Sequence, residues 1–295
     1  ADTIDVTAGF IKDIAGNPAT TDGKADAAVT YSDTTSPTVS SFTSTTANGS
    51  YGVDQPVNIT ATVSEAVIAG SAITVTLSTN DTVILTAGSA GTTLLSGTYT
   101  VSTGDASADL SISSYELASG QSVTDVYGNQ MTSTTIPNGS NLSDNKALVI
   151  DAAAPTATIA SVSYNGTLGV LTFSGTNFDG IGAANASTDI QGSLNWSSLS
   201  WDINGDDGTT ANASFTQSSI ASAYVTNAST LTVTLTSDGK TALEATTGFG
   251  AAGNADTIDV TAGFIKDIAG NPATTDGKAD AAVTYTDQTS PTVSS

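Results

Sequence analysis

The chain has 295 residues, and its 28 acidic residues against six lysines and no arginine give a formal net charge of −22. This charge excludes nucleic acid and anionic membrane surfaces as partners, because both are bound through Lys and Arg. The absence of His and Cys removes the commonest general base, the thiol nucleophile, the usual zinc ligands and any disulfide, so the composition argues against an enzyme.

The acidic residues are almost all aspartates, since only Glu65, Glu116 and Glu244 are glutamates. Helix surfaces usually carry Glu, Lys and Arg, whereas Asp, Asn, Gly, Ser and Thr suit turns and strands. The composition therefore predicts an all-β protein that is rich in the oxygen ligands preferred by calcium. No apolar run is long enough to span a bilayer and no signal peptide opens the sequence, so we expect a soluble interior part of a longer chain, without membrane insertion.

The sequence repeats itself over a long period. Residues 1–41 recur at 255–295 with two differences, Ser32 against Thr286 and Thr34 against Gln288. The offset is 254 residues, and such a well-kept long period indicates a tandem array.

An Asp-x-x-x-Pro pattern divides this period in two. It occurs at 33–37, 151–155 and 287–291, each time after a strand-like run. Proline ends one strand and fixes φ at the start of the next segment, so the pattern predicts short linkers. The predicted parts are the end of one module B (1–33), module A (38–151), a complete module B (156–287) and the start of the next module A (292–295).

Both modules show short alternating runs separated by turn residues, as strands do. In module A we predict strands at Thr38–Thr43, Val57–Val63, Ala72–Leu77, Thr82–Ala87, Thr93–Val101, Asp109–Tyr115, Ser122–Asp125 and Lys146–Ile150. In module B we predict strands at Ala157–Val162, Val170–Phe173, Leu194–Ile203, Ala211–Thr216, Thr230–Leu235, Thr257–Thr261 and Ala281–Tyr285, and a helix at Gly239–Ala245. The predicted fold is a tandem of immunoglobulin-like antiparallel β-sandwiches joined end to end by the Asp-x-x-x-Pro linkers.

Three acidic features recur: the linker aspartate, an Asp-x-x-Gly-Asn loop near the end of each module, and an acid after the second strand. In a sandwich these positions lie at the same end of the module, so we expect them to converge. The first predicted set is Asp33, Glu65, Asp125 and Asn129, and the second is Asp151, Asp179, Asp267 and Asn271. Crowded carboxylates repel unless a cation lies between them, so we predict Ca²⁺ at these junctions. Taken singly, each motif is also explained as a tight turn or a linker cap.

A third candidate site is the run from Asp202 to Gly208, in which Asp202, Asn204 and Asp206 resemble the start of an EF-hand loop. Its glycine falls one place late, and Ala213 stands where a bidentate Glu belongs. Asn-Gly and Asp-Gly between two strand-like runs favour a plain hairpin instead.

The aromatic residues of module B allow two interpretations. Trp196, Leu199, Trp201 and Phe215 are predicted to pack in the core. Alternatively, Tyr164 and the two tryptophans form an exposed platform for carbohydrate. Exposure of both indole rings would favour the carbohydrate-binding module, and their burial would favour a spacer.

The runs SFTSTTANGSYGVDQPVNITATVSEAV, DVYGNQMTS, KALVIDAAAPT and DIAGNPATTDGKADAAVTYTDQTSPT resemble the bacterial immunoglobulin-like repeats of giant surface adhesins, including those of the repeats-in-toxin class. The resemblance implies a secreted, cell-surface-attached protein whose repeats act as extenders. It also implies junctions made rigid by calcium, and the matching positions are Glu65, Asp125 and Asp151. Module B departs from the pattern, because Asn177 and Asp179 replace the Glu of the SEAV motif.

The sequence thus predicts a spacer whose partners are neighbouring repeats of the same chain. The alternative to a spacer or a carbohydrate-binding module is a self-assembling extracellular filament or surface layer, in which residues 1–33 complete the fold of another chain.

Overall fold

A computed structural model describes residues 2–30, 32–117, 119–181, 187–205, 212–250 and 255–286. Strands make up 43% of it and helices 10%, so the predicted all-β class is confirmed. The sheets curl into half-barrels. The predicted ligand Asp206, the linker residue Asp287 and the segment 292–295 lie outside the described residues.

The segment 1–33 holds one antiparallel hairpin of β1 (Thr3–Val6) and β2 (Lys24–Ala28). Module A follows with nine strands and one short helix. These are β3 (Val39–Thr43), β4 (Gly49–Tyr51), β5 (Pro56–Val67), β6 (Ala72–Leu77), β7 (Thr82–Thr86), β8 (Thr92–Thr100), β9 (Ala106–Ser107), β10 (Ile112–Glu116), α1 (Leu142–Asn145) and β11 (Leu148–Asp151). They form a six-stranded sheet in the order β10-β6-β7-β8-β5-β3 and a three-stranded sheet in the order β4-β11-β9.

Module B contributes β12 (Thr158–Asn165), β13 (Val170–Thr176), β14 (Leu199–Asp202), β15 (Ala213–Ser214), β16 (Ile220–Asn227), β17 (Thr230–Leu235), α2 (Ser237–Glu244), β18 (Thr257–Val260) and β19 (Lys278–Thr286). Short 3₁₀ helices occur at Phe178–Ile181, Gln191–Ser193, Trp196–Ser198, Ile203–Gly205 and Gln217–Ser219. The eight strands form one sheet in the order β15-β14-β18-β19-β12-β13-β17-β16. Strand β19 pairs with β18 along its first half and with β12 along its second half, which joins the two parts of the curled sheet.

The last strand of each module pairs in parallel with an early strand of the same module, which corrects the prediction of purely antiparallel sheets. In module A, β11 pairs in parallel with β4, and in module B, β19 pairs in parallel with β12. The direction follows from the chain path, because a chain that enters a module at one end and leaves at the other runs the same way in both strands.

Several predicted elements differ from the structure. The predicted strand Ser122–Asp125 forms only isolated bridges, Val67 with Asp125 and Thr124 with Gln130. Much of the predicted strand Leu194–Ile203 is replaced by 3₁₀ turns on either side of the four-residue β14. Strand β16 was not predicted, because its sequence IASAYVTN lacks a clear alternation of apolar and polar residues.

Two hydrophobic clusters lie on either side of the second linker. One extends from Val39 to Ala152 and is centred on residues such as Phe42 and Ile59. The other extends from Ala157 to Val283 and includes Phe173 and Trp201. The gap between them, 153–156, covers the last three residues of the predicted Asp-x-x-x-Pro linker and the first residue of module B.

The same sequence occurs in two environments. Ile258 and Phe264 of module B are fully buried, whereas the identical residues of the first copy, Ile4 and Phe10, are 58% and 80% exposed. The first copy has only β1 and β2, without the strands that cover these side chains in module B. Burial is therefore set by the neighbouring strands and not by the local sequence.

We expect Phe264→Ala to lower the free energy of unfolding of module B by about 3–5 kcal/mol, because it leaves a cavity in a closed core. Phe10→Ala is the matched control, and we expect a change within about 0.5 kcal/mol, since surface substitutions rarely do more. Both tryptophans lie in module B, so denaturant unfolding followed by Trp fluorescence reports on that module. Equal losses in the two variants would contradict the assignment of the two environments.

Candidate metal centre at the start of module A

The Asp-x-x-Gly-Asn loop builds itself from local hydrogen bonds. In module A, Asp125 Oδ1 accepts from the backbone N–H of Tyr127 at 2.8 Å and of Asn129 at 2.7 Å. Asn129 Nδ2 donates to Asp125 Oδ2 at 2.8 Å. Gly128 has φ +97°, a conformation that glycine adopts without strain. The motif is thus a tight turn whose Asp and Asn are fixed together.

The loop also holds the linker. Asn129 Nδ2 donates to the carbonyl oxygen of Asp33 at 3.1 Å. In module B, Asn271 Nδ2 donates to the carbonyl oxygen of Asp151 at 2.6 Å. Each loop therefore fixes the linker aspartate that precedes its own module. Both explanations of the loop, as a turn and as part of a junction, apply to the same residues.

Three carboxylates meet where the first linker enters module A. One oxygen from each of Asp33, Glu65 and Asp125 lies within 4.8 Å of the other two. Asp33 comes from the linker, Glu65 from strand β5 and Asp125 from the loop, with Asn129 beside it. The structure thus brings the first predicted set of residues together, and it does so from three separate parts of the chain.

Glu65 is the unbalanced member of this group. Its Oε1 atom is buried and has no hydrogen-bond partner. Loss of solvent and the neighbouring charges of Asp33 and Asp125 raise the pKa of the Glu65 carboxyl above its ordinary value. Glu65 therefore favours its protonated form, and its charged form is disfavoured unless a cation lies between these oxygens.

Asp125 behaves in the opposite way. Burial acts to raise its pKa, but hydrogen bonds from the Asn129 side chain and from the loop N–H groups outweigh burial, and the pKa of Asp125 is lowered. Asp125 thus stays ionised, and it presents a fixed negative charge to Glu65. A pair of this kind is suited to binding a hard cation.

The second junction is arranged differently. Asp267 and Asn271 are buried, but Asn177 and Asp179 are exposed on the segment after β13. Asn177 Nδ2 donates to the carbonyl oxygen of Thr156, the residue after the linker, at 3.3 Å. Among the described residues, Asp151, Asp179 and Asp267 do not form a second group of three adjacent carboxylates.

Direct contacts between the modules replace this cluster at the second junction. Asn271 Oδ1 accepts from the backbone N–H of Val53 at 3.0 Å, and the carbonyl oxygen of Ala269 accepts from Gln55 Nε2 at 2.9 Å. Gly52 is buried against the same loop, and a Cβ atom there would lie 2.5 Å from Asn271 Oδ1. The turn between β4 and β5 of module A therefore packs tightly on the Asp-x-x-Gly-Asn loop of module B.

The EF-hand-like run is described only from Asp202 to Gly205. Asp202 is the last residue of β14 and is fully buried, and Asn204 lies in a 3₁₀ turn with φ +68°. The backbone N–H of Asn204 donates to Asp256 Oδ1 at 3.0 Å. Asp206 lies outside the described residues, so its role stays a prediction.

Asp256 is a buried residue that the sequence analysis missed. Its carboxylate accepts from Trp201 Nε1 at 2.8 Å, from the Gly250 N–H at 3.2 Å and from the Tyr285 hydroxyl. These partners are far apart in the sequence, so no local motif indicates them. Asp256 fixes the end of the module B core.

The predicted carbohydrate platform is wrong. Tyr164, Trp196 and Trp201 are all buried in the module B core. The indole nitrogen of Trp196 donates to the carbonyl oxygen of Gln191 and to Gln217 Oε1, both at 3.0 Å. The rings lie inside because the curled sheet closes over them, and the prediction of core packing for Trp196, Leu199, Trp201 and Phe215 is confirmed.

Comparisons with protein-family models and with curated proteins found no match. Among solved structures, the chain is similar to one from a 1.5-MDa bacterial ice-binding adhesin, which is described in relation to host cell surface retention. The similarity covers 93% of this chain and 72% of that chain, with 16% identity and a TM-score of 0.32. A likeness this low carries no argument about function. None of the described helices has the length and apolar character that crossing a bilayer requires.

In the absence of divalent cations, Glu65→Gln is expected to raise the midpoint of thermal unfolding at neutral pH. The raised pKa means that the folded protein holds the Glu65 proton more tightly than the unfolded chain does. The stabilising effect is complete below the ordinary carboxyl pKa and is lost as the pH rises through the raised value. The gain from Glu65→Gln therefore shrinks as the pH falls. Glu116→Gln, at an exposed residue of β10, is the control, and an equal gain in that variant would contradict the mechanism.

Proposed function

We propose that this chain is a structural spacer from the repeat region of an extracellular bacterial adhesin and that its junction at the entry of module A binds calcium. The observation that carries the proposal is the buried, unpartnered Glu65 Oε1 in a group of three carboxylates at the entry of module A. A cation there neutralises charges contributed by the linker, a strand and a loop at once, so it holds the linker against the module. In this role the protein is not an enzyme.

The division into modules supports the spacer. The two hydrophobic clusters meet the linkers at their ends, and the 254-residue repeat places modules A and B in alternation. We propose that each is an immunoglobulin-like β-sandwich joined to the next by an Asp-x-x-x-Pro linker. The resemblance of the SEAV, Asp-x-x-Gly-Asn and linker motifs to adhesin repeats supports the extracellular, cell-surface location.

Calcium is preferred to other cations on the chemistry of the site. Asp33, Glu65 and Asp125 supply carboxylate oxygens, and the Asn129 side chain lies beside them. Hard oxygen ligands in irregular geometry suit Ca²⁺, whereas Zn²⁺ prefers Cys and His, which the chain lacks. The junction between modules A and B depends instead on direct contacts of Asn271 and Ala269 with module A.

Calorimetric titration of the cation-free chain with CaCl₂ is expected to show calcium uptake. The variants Glu65→Gln and Asp125→Asn are expected to lose the part of the binding heat that comes from the site in module A. Calcium is also expected to raise the thermal midpoint of the natural chain but not of Glu65→Gln, because the cation stabilises the state that it binds. Glu116→Gln is the matched control that keeps uptake. No uptake, together with X-ray scattering profiles that superimpose with and without chelator, would rule out the calcium junction.

A second candidate function is self-assembly through residues 1–33. Ile4, Phe10 and Ile11 expose an apolar face that the same residues bury in module B. Strands of a second chain that pair beside β1 and β2 would cover this face. Mass measurement in solution, by sedimentation equilibrium at several concentrations, tests this idea. Self-assembly predicts polymers that Phe10→Ser together with Ile4→Ser reduces to monomers, and a monomer at all concentrations contradicts it.

A further inference from the structure

The end of module B that faces away from module A holds an open cavity of about 560 Å³. Its walls include the rings of Tyr164, Phe249 and Tyr285, with centroids 5.6 Å apart for Phe249 and Tyr285 and 5.8 Å for Tyr164 and Phe249. Lys240 and Glu244, an ion pair at 3.7 Å, add polar groups to the lining. The cavity therefore suits an aromatic side chain that also carries a hydrogen-bonding group.

The position of this cavity corresponds to the contact surface of module A. In module A, Tyr51 pairs in parallel with Ile150, so Gly52 is the next residue opposite the linker residue Asp151. In module B, Asn165 pairs in parallel with Thr286, the last described residue, and the residue that follows Asn165, Gly166, lines the cavity. Gly52 contacts the loop of the following module, and Gly166 occupies the equivalent place in module B.

The loop that would meet this place is the Asp-x-x-Gly-Asn loop of a module A. Its third residue is Tyr127, and the equivalent residue of module B is Ala269. Ala269, which contacts module A, is 1% exposed, whereas Tyr127 is 54% exposed. The preceding segment 1–33 has none of the residues equivalent to 164, 166 or 249, so the exposure of Tyr127 coincides with the absence of this partner surface.

We propose that the cavity at the end of module B receives Tyr127 from a second copy of module A. The contact repeats the one seen between modules A and B, with the large side chain of Tyr127 entering a cavity where the small Ala269 packs against module A. The sequence 287–295, which repeats 33–41, places such a copy next in the array. This inference rests on the spacer function and adds that the order of the modules is fixed by fit.

The end of module A and the end of module B then accept different loops. Ala269 is 1% exposed where its loop packs on the end of module A, so the bulky Tyr127 at the same position of the other loop does not suit the end of module A. The alanine loop of module B would leave the cavity of another module B unfilled. Alternation of A and B is thus favoured over A–A and B–B neighbours.

The test uses a two-period chain in which residues 1–295 continue directly into a second copy of residues 42–295. Only its second Tyr127 follows a complete module B. Two variants keep one Tyr127 each, with Tyr127→Ala in the first copy or in the second, so that the remaining side chain is identified by mass. Hydroxyl-radical footprinting then measures the modification rate of each Tyr127. We expect the second copy to be modified several-fold more slowly than the first, and equal rates would overturn the proposal.

A third variant blocks the cavity with Lys240→Trp in the first module B. We expect it to raise the modification rate of the second Tyr127 to that of the first copy, and persistence of the protection would also overturn the proposal. The comparison of the two copies does not depend on this variant and remains decisive if it does not fold.

The same measurements, made in CaCl₂ and in chelator beside the calcium titration, separate this inference from the proposed function. Calcium uptake together with equal modification rates of the two Tyr127 side chains would contradict only the docking of Tyr127. Protection of the second Tyr127 without calcium uptake would contradict only the proposed calcium site at the junction.

Discussion

Three carboxylates share a small volume where the linker enters module A, and their mutual repulsion is the constraint on which the junction depends. Asp33, Glu65 and Asp125 come from a linker, a strand and a loop, so whatever neutralises them also fixes these three parts relative to one another. The two carboxyl groups respond in opposite ways to this repulsion. The pKa of Asp125 is lowered because hydrogen bonds from the loop stabilise its charge, whereas the pKa of Glu65 is raised because nothing within the described residues stabilises its charge. The stability of the junction therefore depends on the cations in the surrounding solution.

The Asp-x-x-Gly-Asn loop fixes the positions of the Asp and Asn side chains in this arrangement. Two of its internal hydrogen bonds recur in segment 1–33 and in both modules, since the backbone N–H and the side-chain amide of Asn17, Asn129 and Asn271 donate to the loop aspartate. A unit that forms from five consecutive residues does not rely on its neighbours. Its outer atoms are then available to bind the linker and, in module B, the preceding module.

Much of the fold and part of the site follow from the sequence. Alternation of apolar residues placed Ala72–Leu77 and Thr230–Leu235 at their observed bounds, and the recurrence of Asp33, Glu65 and Asp125 at corresponding positions indicated that they converge. The four-donor environment of Asp256 was not predictable, because its partners Trp201 and Tyr285 lie far from it in the chain. The parallel pairing of the last strand of each module with β4 or β12 was missed for a similar reason, since periodicity shows which face a strand buries but not the direction of its neighbour.

That parallel pairing has a mechanical consequence. In module B, β12 begins the module and β19 ends it, and the two lie side by side from Val162 with Val283 to Asn165 with Thr286. Tension applied along the chain pulls these strands in opposite directions along their length, so the hydrogen bonds between them are loaded together in shear and must break together. An antiparallel pair loaded from one end would instead open one bond at a time. A module with its terminal strands paired in this way resists stretching most strongly along the direction in which it is tethered to its neighbours.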